Sequence, residues 1–356
     1  MKILVIGPSD TLSCGGMASV IHDIRVSKCL NESYDIDIYP SFIDGGFLKR
    51  HVFTFISFLR FLPKIKQYDL FHIHVSCYHS VTRKGWYLKA IKRANKKAIL
   101  HIHGSRFKVY YDTLSQAKKQ TVTNLLNSAD MVVGLSDEWK EYFENVVHVT
   151  NCRSLPNGID PEIYQKGICD MEEFHHSFVS LGRLGERKGT FDLIEAFEAV
   201  VQKHSDATLY LAGDGEIERA NALIQEKKLE NNIKVVGWVG LDGKLELLSK
   251  CSTFVLPSYN EGLPMAILES MAAGKLIISS TAGAIPEVIK EENGIIVEAG
   301  DIGNLTKALL RAYEDIEYLK SASRENQEKL LKEYSVHRMH ETLKGYYEEV
   351  LHTKND

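Results

Sequence analysis

The segment SYNEGLPMAILESMAAGKLIISS, residues 258–280, decides the fold class, because it predicts a loop, a helix and a buried strand in succession. Pro264 has the fixed φ of a first helical position, and Gly274 suits the residue just past a helix end. The apolar LIIS that follows is typical of a buried strand. Glu261 should therefore lie in the loop before the helix, and Glu269 should lie within it.

The two glutamates of this segment stand eight positions apart. On one helix, eight residues at ~1.5 Å each would separate them by about 12 Å. That is too far for two carboxylates to share a proton or to act as a paired acid and base on one bond. The spacing suits holding two ends of an elongated ligand by its hydroxyls, with the helix N-terminus facing an anion between them.

The rest of the chain predicts two rounds of strand and helix. The first round begins at KILVIG (Lys2–Gly7), and the second begins at SFVSLGRL (Ser177–Leu184). Apolar strands separated by helices predict parallel sheets covered on both faces. We therefore expect an α/β protein with two Rossmann-like, doubly wound domains facing across a cleft, in which ligands bind beyond the carboxyl ends of the strands. The predicted domains are residues 1–163 and 164–335, followed by a last helix in 336–356.

Charge is distributed unevenly along the 356 residues, although the net charge is only −4. Residues 45–97 contain 12 Lys and Arg but a single acid, Asp69. Within this stretch, basic residues flank an apolar, aromatic run, so residues 45–66 could form a helix on an anionic membrane surface. A core helix with solvated ends is the alternative. The patch is local and the chain is slightly acidic, which argues against a nucleic-acid partner.

The six cysteines are scattered without metal-ligand spacing, as in a cytosolic protein with reduced thiols. The start, MKILVIGPSD, predicts a strand and a turn rather than a signal peptide. No stretch approaches the ~18 apolar residues of a membrane span. We expect a cytoplasmic protein, for which the basic stretch raises the option of peripheral association with the inner face of a membrane.

Two motifs in the first half could meet a ligand. Gly15 and Gly16 follow the first strand, where a ligand can approach their backbone N–H groups; a tight turn is the alternative. In HIHGS, His101 and His103 share a strand face, but no third metal ligand is evident. His103 is the better candidate for a ligand contact. HIHVS (72–76) repeats the pattern, so at least one histidine pair should be structural.

Three motifs in the second half also follow strands. In LGRLGERKGT (181–190), Arg183 and Lys188 precede a helix among glycines, which suits a diphosphate; a solvated basic turn is the alternative. AGDGE (212–216) predicts either a nucleotide-approach loop or a plain turn. Trp238 would lie beside a base or in an interdomain core.

Together these motifs resemble the retaining glycosyltransferases with two Rossmann-like domains, the GT-B fold of the family-4 group. The resemblance rests on GG after the first strand, HxHG, PNGID at the junction, R-x4-K, GDG, and E-x7-E within NEGLPMAILESMAAG, in this order. It covers nearly the whole chain, and the last motif is its specific part.

The resemblance implies a role for each matching residue. Glu261 would bind hydroxyls of the donor sugar, and Glu269 would bind the nucleotide ribose. Arg183 and Lys188 would neutralise the diphosphate, and His103 would lie near the sugar. The implied catalytic residues are Arg183, Lys188, Glu261 and His103. The implied donor-binding residues are Gly15, Gly16, Gly213, Gly215, Trp238, Glu261, Gly262, Leu263, Pro264 and Glu269. The last helix would cross back to the N-terminal domain.

The resemblance also implies the reaction. The donor would be a nucleotide sugar, with UDP preferred over GDP, and neither a metal nor another cofactor would be needed. Front-face attack, with the donor phosphate accepting the acceptor's proton, would retain the anomeric configuration; Glu261 as a covalent nucleophile is disfavoured. The basic, aromatic stretch at residues 45–66, rather than the resemblance, motivates the expectation that the acceptor is a glycan, which could be lipid-linked, in bacterial surface-polysaccharide assembly. A sugar-nucleotide epimerase and a nonenzymatic sugar-nucleotide binder are the alternatives.

Overall fold

The computed structural model describes residues 1–9, 11, 13, 16–43 and 46–353. The chain divides into two compact units. The first contains residues 1–158 together with the chain from Val336 onward, and the second contains residues 159–335. The first unit thus ends at Gly158, five residues before the predicted boundary, and it includes the last helix.

The first unit is built on a six-stranded parallel sheet in the order β2-β1-β3-β4-β5-β6. Its strands are β1 (Lys2–Pro8), β2 (Asp35–Phe42), β3 (Leu70–Val75), β4 (Lys97–Ile102), β5 (Met131–Gly134) and β6 (Cys152–Ser154). The central strand β3 is buried along its whole length, as expected for a strand covered by helices on both faces. The strand order reverses between the parallel strands β1 and β3, because β2 lies on one side of this pair and β4 lies on the other. Such sheets bind ligands at this point.

Eight helices belong to the described part of this unit. They are α1 (Gly16–Val26), α2 (Lys28–Asn31), α3 (Phe47–Phe61), α4 (His79–Arg93), α5 (Phe107–Asp112), α6 (Gln116–Asn127), α7 (Asp137–Asn145) and α17 (Val336–His352). The last of these packs against α2 and β4, so the end of the chain completes the unit formed by its beginning.

The second unit has a six-stranded parallel sheet in the order β12-β11-β10-β7-β8-β9. Its strands are β7 (Ser177–Leu181), β8 (Thr208–Ala212), β9 (Ile233–Gly237), β10 (Thr253–Leu256), β11 (Leu276–Ser280) and β12 (Gly294–Val297). Because β7 pairs with β10, strand order reverses between these two strands. The predicted α/β class with two doubly wound sheets is confirmed.

The helices of the second unit cover both faces of its sheet. They are α8 (Pro161–Tyr164), α9 (Met171–Phe174), α10 (Thr190–Lys203), α11 (Ile217–Glu226), α12 (Leu241–Leu248), α13 (Met265–Ala272), α14 (Ile285–Val288), α15 (Ile302–Glu314) and α16 (Ile316–Glu333). A core of aliphatic and aromatic side chains lies between α10, α15 and the sheet.

Helix α13 has the predicted surroundings but starts one residue later. Pro264 is its N-cap, with an extended ψ of 122°, and not its first helical residue as predicted. Ala273 caps the other end, and Gly274 then adopts a left-handed φ of +65°. Glu261 lies in the preceding loop, and Glu269 lies within the helix.

The basic, aromatic stretch forms α3 and a 3-10 turn at Leu62–Gln67. It is only partly a core helix. Phe61 is fully buried, yet large apolar side chains are exposed along the element, namely Val52, Phe55, Ile56, Leu59 and Leu62. Within the described ranges, no helix is both long and apolar enough to cross a bilayer.

Candidate functional site

In the second unit, the loops that follow β7 and β10 leave the same edge of the sheet, because the two strands are parallel neighbours. The loop after β7 contains Arg183 and Lys188, and the loop after β10 contains Glu261. Lys188 and Glu261 are far apart in sequence but meet at the point where strand order reverses. Brought together in this way, they occupy the edge at which doubly wound sheets bind ligands.

Glu261 is the buried carboxylate of this edge, with only 7% of its surface exposed. Its Oε1 accepts a hydrogen bond from Lys188 Nζ at 2.6 Å. Arg187 Nη1 lies 3.5 Å from the same oxygen and also donates to the carbonyl of Asn260. A buried carboxylate requires such compensation, since desolvation otherwise favours its neutral form. Sequence reasoning assigned Lys188 to a diphosphate and missed Arg187, although Arg187 is the immediate neighbour of Lys188.

Lys188 reaches Glu261 because the loop after β7 lies directly on the loop after β10. Gly189 has a left-handed φ of +68°, and a Cβ at this position would lie 2.2 Å from the carbonyl oxygen of Pro257. Only glycine permits both this conformation and this approach. The glycine between the cationic loop and α10 therefore sets the position of the ion pair.

Arg183 differs from Lys188 in being solvent-exposed. Its side chain is 70% exposed, and Nη1 lies 3.4 Å from Oδ2 of the equally solvated Asp214. The AGDGE loop packs against the loop that contains Arg183. A Cβ on Gly213 would lie 1.9 Å from the carbonyl oxygen of Gly182. The glycines of this motif thus serve a close backbone contact within the unit, and Arg183 remains the accessible cation.

Glu269 is the second buried carboxylate, 9% exposed on α13. Its Oε2 accepts a hydrogen bond from Lys244 Nζ of α12 at 2.6 Å. Lys244 was missed because its partner lies on another element, and no motif marks it. Each of the two predicted carboxylates therefore has a lysine of its own.

The remaining predicted donor residues of this unit fall into two groups. The segment Gly262–Pro264 is buried, and the Gly262 carbonyl accepts the N–H of Ala284 at 2.9 Å, which anchors the loop. Trp238 is 68% exposed and so is not a core side chain of the second unit. Gly215 lies in the turn beside Arg183, whose Cγ would be 3.0 Å from an added Cβ.

Four histidines of the first unit lie on the neighbouring strands β3 and β4 or directly after β4. His72 and His74 of β3 lie beside His101 of β4 and the following His103, all on one sheet face because side chains alternate along a strand. His74 Nδ1 is 2.8 Å from His103 Nε2, and His72 Nε2 is 3.2 Å from His101 Nδ1. The two HxH segments thus form one cluster, so both pairs have structural contacts.

This cluster is electrically neutral. Burial lowers the pKa of His72 to about 3, and it holds the pKa values of His74 and His101 well below the usual range, with neighbouring imidazoles adding to the effect. Burial also lowers the pKa of His103 to about 3. His72 Nδ1 lies 2.8 Å from the Tyr347 hydroxyl of α17. Neutral rings give directional hydrogen bonds without charge.

The cluster contains three potential metal ligands, a set that the sequence analysis did not find. Nitrogens of His72, His74 and His101 lie within 4.8 Å of one another and could hold a metal ion. Two of the three ligands come from β3, the neighbour of β4, and the signal was the repeated HxH on two strands that pair. Two of these rings are already joined by the His72–His101 hydrogen bond.

The glycine pair after β1 is only partly visible. Gly15 lies outside the described residues, and Gly16 is the exposed first residue of α1. The loop leaves β1 beside β3, at the reversal point of the first sheet. His103 is tied to the same region, since its N–H donates to the carbonyl of Val75 at 2.7 Å.

Comparisons with known proteins agree across most of the chain. The family model for Glycosyltransferase Family 4 matches residues 27–163, and the model for Glycosyl transferases group 1 matches residues 175–315. The chain is 26% identical to UDP-Gal:alpha-D-GlcNAc-diphosphoundecaprenol alpha-1,3-galactosyltransferase of Escherichia coli, over 89% of this chain and 84% of that protein. It is 25% identical to the amylovoran biosynthesis glycosyltransferase AmsK of Erwinia amylovora, over 68% of this chain and 61% of AmsK.

Solved structures show the same fold at lower sequence identity. Sucrose-phosphate synthase from Thermosynechococcus elongatus superimposes with a TM-score of 0.78 at 18% identity, covering 98% of each chain. Anabaena HepE, solved in complex with UDP-glucose, gives a TM-score of 0.76 at 18% identity, covering 98% of this chain and all of HepE.

Proposed function

This chain belongs to the glycosyltransferases of the GT-B fold and family-4 type, and from that premise we propose that it transfers a sugar from a UDP-sugar to a lipid-linked glycan with retention of anomeric configuration. The process would be bacterial surface-polysaccharide assembly. The observation that supports this most directly is the buried Glu261 paired with Lys188 where strand order reverses.

The donor would bind through the free oxygens of the two buried carboxylates. Lys188 and Arg187 both contact Oε1 of Glu261, so Oε2 is the oxygen proposed to accept a sugar hydroxyl. Lys244 contacts Oε2 of Glu269, so Oε1 is proposed to accept the ribose hydroxyls. Charged acceptors make stronger hydrogen bonds than neutral ones, which favours tight and oriented donor binding.

Bond cleavage places negative charge on the departing diphosphate. Arg183 is exposed and only loosely paired, so it can turn toward that charge, and Lys188 can share its donors between Glu261 and a phosphate oxygen. Cations aimed at developing charge stabilise the transition state without a bound metal. Helix N-termini and the backbone of Gly16 would add to this stabilisation.

Retention is proposed to proceed by front-face attack. Glu261 is disfavoured as the nucleophile because two cations engage its Oε1 and its Oε2 is assigned to a sugar hydroxyl. The donor phosphate would then accept the acceptor's proton. His103 is neutral and has its Nε2 engaged by His74, so it would contact the donor sugar through Nδ1 rather than as a charged group.

The acceptor proposal rests on relatives and on one surface. One relative acts, by its name, on a diphosphoundecaprenol-linked sugar, and others are named for amylovoran and capsular polysaccharide biosynthesis. The exposed apolar face of α3, with Lys49 and Arg50 before it and Lys64 and Lys66 after it, suits the interface of an anionic membrane. The enzyme would then act at the inner face of that membrane.

A turnover assay tests the reaction. The protein is incubated with radiolabelled UDP-sugars and a lipid-linked glycan extract, and the product linkage is determined by NMR. An α-linked product from an α-linked donor is expected. An isomerised donor without a glycosidic product would favour an epimerase, and binding without turnover would favour a nonenzymatic binder.

Cosedimentation tests the membrane surface. Binding to vesicles that contain phosphatidylglycerol is expected, with a marked loss when Lys49, Arg50, Lys64 and Lys66 are neutralised together. Neutralising four exposed lysines of the second unit, Lys203, Lys228, Lys234 and Lys250, is the matched control. Equal losses in both variants would remove α3 as the anchor.

A further inference from the structure

A groove of about 700 Å³ lies in the first unit, away from the histidine cluster. Two stripes of side chains form its walls, one from α4 and the residue before it and one from α5, α6 and the turn between them. The principal residues are Tyr78, Val81, Trp86 and Lys89 on one side, and Tyr110, Lys118, Val122 and Leu125 on the other.

The direction of the groove follows from the sheet. Helix α4 connects β3 to β4, and α5 and α6 connect β4 to β5, and these strands are all parallel. Both connections therefore run from the carboxyl edge of the sheet back to its amino edge. The groove begins near Tyr78 and Tyr110 at the edge where His103 follows β4, and it extends along both helices. From Tyr78 to Lys89 it spans about 16 Å, at ~1.5 Å per residue.

The walls are amphipathic, and their charge has one sign. Val81 and Val122 are buried in the floor, and Trp86 contributes an indole that is 46% exposed. Lys89 and Lys118 are exposed on the rims, and no acidic residue is among those that line the groove. Arg106 adds a further cation at the carboxyl-edge end, 5.5 Å from the ring centroid of Tyr78.

The groove is continuous with the apolar face of α3. The ring of Trp86 lies 5.9 Å from that of Phe58, centroid to centroid. On the same helix, Phe55 and Leu59 are 59% and 50% exposed. Apolar and aromatic side chains therefore adjoin one another from the exposed face of α3 to Trp86 in the wall of the groove, which offers a long apolar chain a route between them.

We propose that this groove binds the hydrocarbon chain of a polyprenyl-phosphate-linked acceptor, with the phosphate near Lys118 and Arg106. An elongated apolar slot with two cations, Lys118 and Arg106, at the end nearest His103 is complementary to an amphiphile that has an anion at that end; Lys89 is a single exposed cation at the other end. The inference rests on the proposed glycosyltransferase function and extends it by giving the acceptor lipid a binding site of its own.

Photocrosslinking of the full chain tests the site without requiring turnover. The probe is a benzophenone-tagged farnesyl phosphate, and crosslinked peptides are mapped by mass spectrometry. Crosslinks in α4 and α6 are expected, and excess decaprenyl phosphate should suppress them. Thr121→Trp fills the groove from its exposed rim and should reduce crosslinking at least fivefold. Gln116→Trp, on the exposed side of the same helix that faces away from the groove, should leave it unchanged.

Three outcomes would overturn the inference: crosslinks elsewhere, equal effects of the two tryptophan variants, or equal suppression by dioleoyl phosphatidylglycerol. The last would indicate a surface that accepts any lipid.

Kinetics then separates this inference from the proposed function. Thr121→Trp should raise KM about tenfold for a polyprenyl-linked acceptor and leave KM unchanged for the same glycan on a short aglycone. An unchanged KM for both acceptors would refute lipid binding in the groove but would leave the proposed transferase activity intact. Groove-specific crosslinking without any sugar transfer would refute the transferase but keep the lipid site.

Discussion

The two glutamates of the second unit and the histidine cluster of the first unit are buried in opposite ways. In the second unit, Glu261 and Glu269 are each paired with a lysine at 2.6 Å. In the first unit, His72, His74 and His101 are buried without any carboxylate partner among the described residues, and burial lowers their pKa values. Paired charges can be shared with an anionic ligand, whereas neutral rings offer directional hydrogen bonds without charge. We therefore expect electrostatic stabilisation from the second unit and directional positioning from the first.

Lowering the pH should destabilise the first unit more than the second, and this is the largest effect that we expect. The pKa of His72 is about 3 in the folded state and about 6.5 when unfolded, so the unfolded state binds more protons between these values. Stability from this group is therefore complete above about pH 6.5 and lost as pH falls toward 3. At pH 5 the loss should be about 2 kcal/mol for His72 alone. His74 and His101 add losses of the same sign.

Urea unfolding at pH 7 and pH 5 measures this difference unit by unit. Trp139 is buried in the first unit and Trp238 lies in the second, so variants that retain one tryptophan report each unit. The midpoint from Trp139 should fall further than that from Trp238. Equal shifts would mean that the histidines do not control acid sensitivity.

Removing one partner of the Glu261 ion pair should have the next largest effect. Lys188→Ala leaves a buried carboxylate with only the more distant Arg187, so the free energy of unfolding should fall by about 3 kcal/mol. The double variant Lys188→Ala/Glu261→Ala should recover most of the loss, because no buried charge is left without a partner. A wild-type midpoint for the single variant would show that the pair is not needed for stability.

Arg183→Ala should lower activity without lowering stability, unlike Lys188→Ala. The side chain is 70% exposed, so the urea midpoint should not change. Turnover should fall 10²–10³-fold, or about 2.7–4 kcal/mol of transition-state stabilisation, if the guanidinium meets the diphosphate. Arg219→Ala, an exposed arginine of α11, is the control. Wild-type turnover in Arg183→Ala would refute the assignment.

Glu269→Gln should have the smallest effect. Hydrogen bonds to a charged group contribute about 1.5–3 kcal/mol, so the Kd for UDP measured by calorimetry should rise at least tenfold. Glu246→Gln on the neighbouring α12 removes an exposed carboxylate and should leave the Kd unchanged. An unchanged Kd in Glu269→Gln would place the ribose contact elsewhere.

Local patterns predicted the fold but not the partners within the site. The apolar strands and the loop before α13 were evident from the sequence, because their signals lie within a few residues. Lys244 and the two β3 imidazoles as potential metal ligands were missed, because each depends on which element becomes a neighbour in space. Arg187 was adjacent to a predicted residue, yet only the strand order β10–β7 brings it to Glu261. The roles assigned to Arg183, Lys188, Glu261, Glu269 and His103 remain predictions.

The last helix has a consequence for the timing of synthesis. The Tyr347 hydroxyl forms a hydrogen bond with His72, which lies 275 positions earlier in the chain. The whole second unit lies between these two parts of the first unit in the sequence. At ~5–20 residues per second, the ribosome needs roughly 9–35 seconds to make that intervening unit. We therefore expect the nascent first unit to wait, with the surface beneath α17 uncovered, while the second unit folds ahead of it.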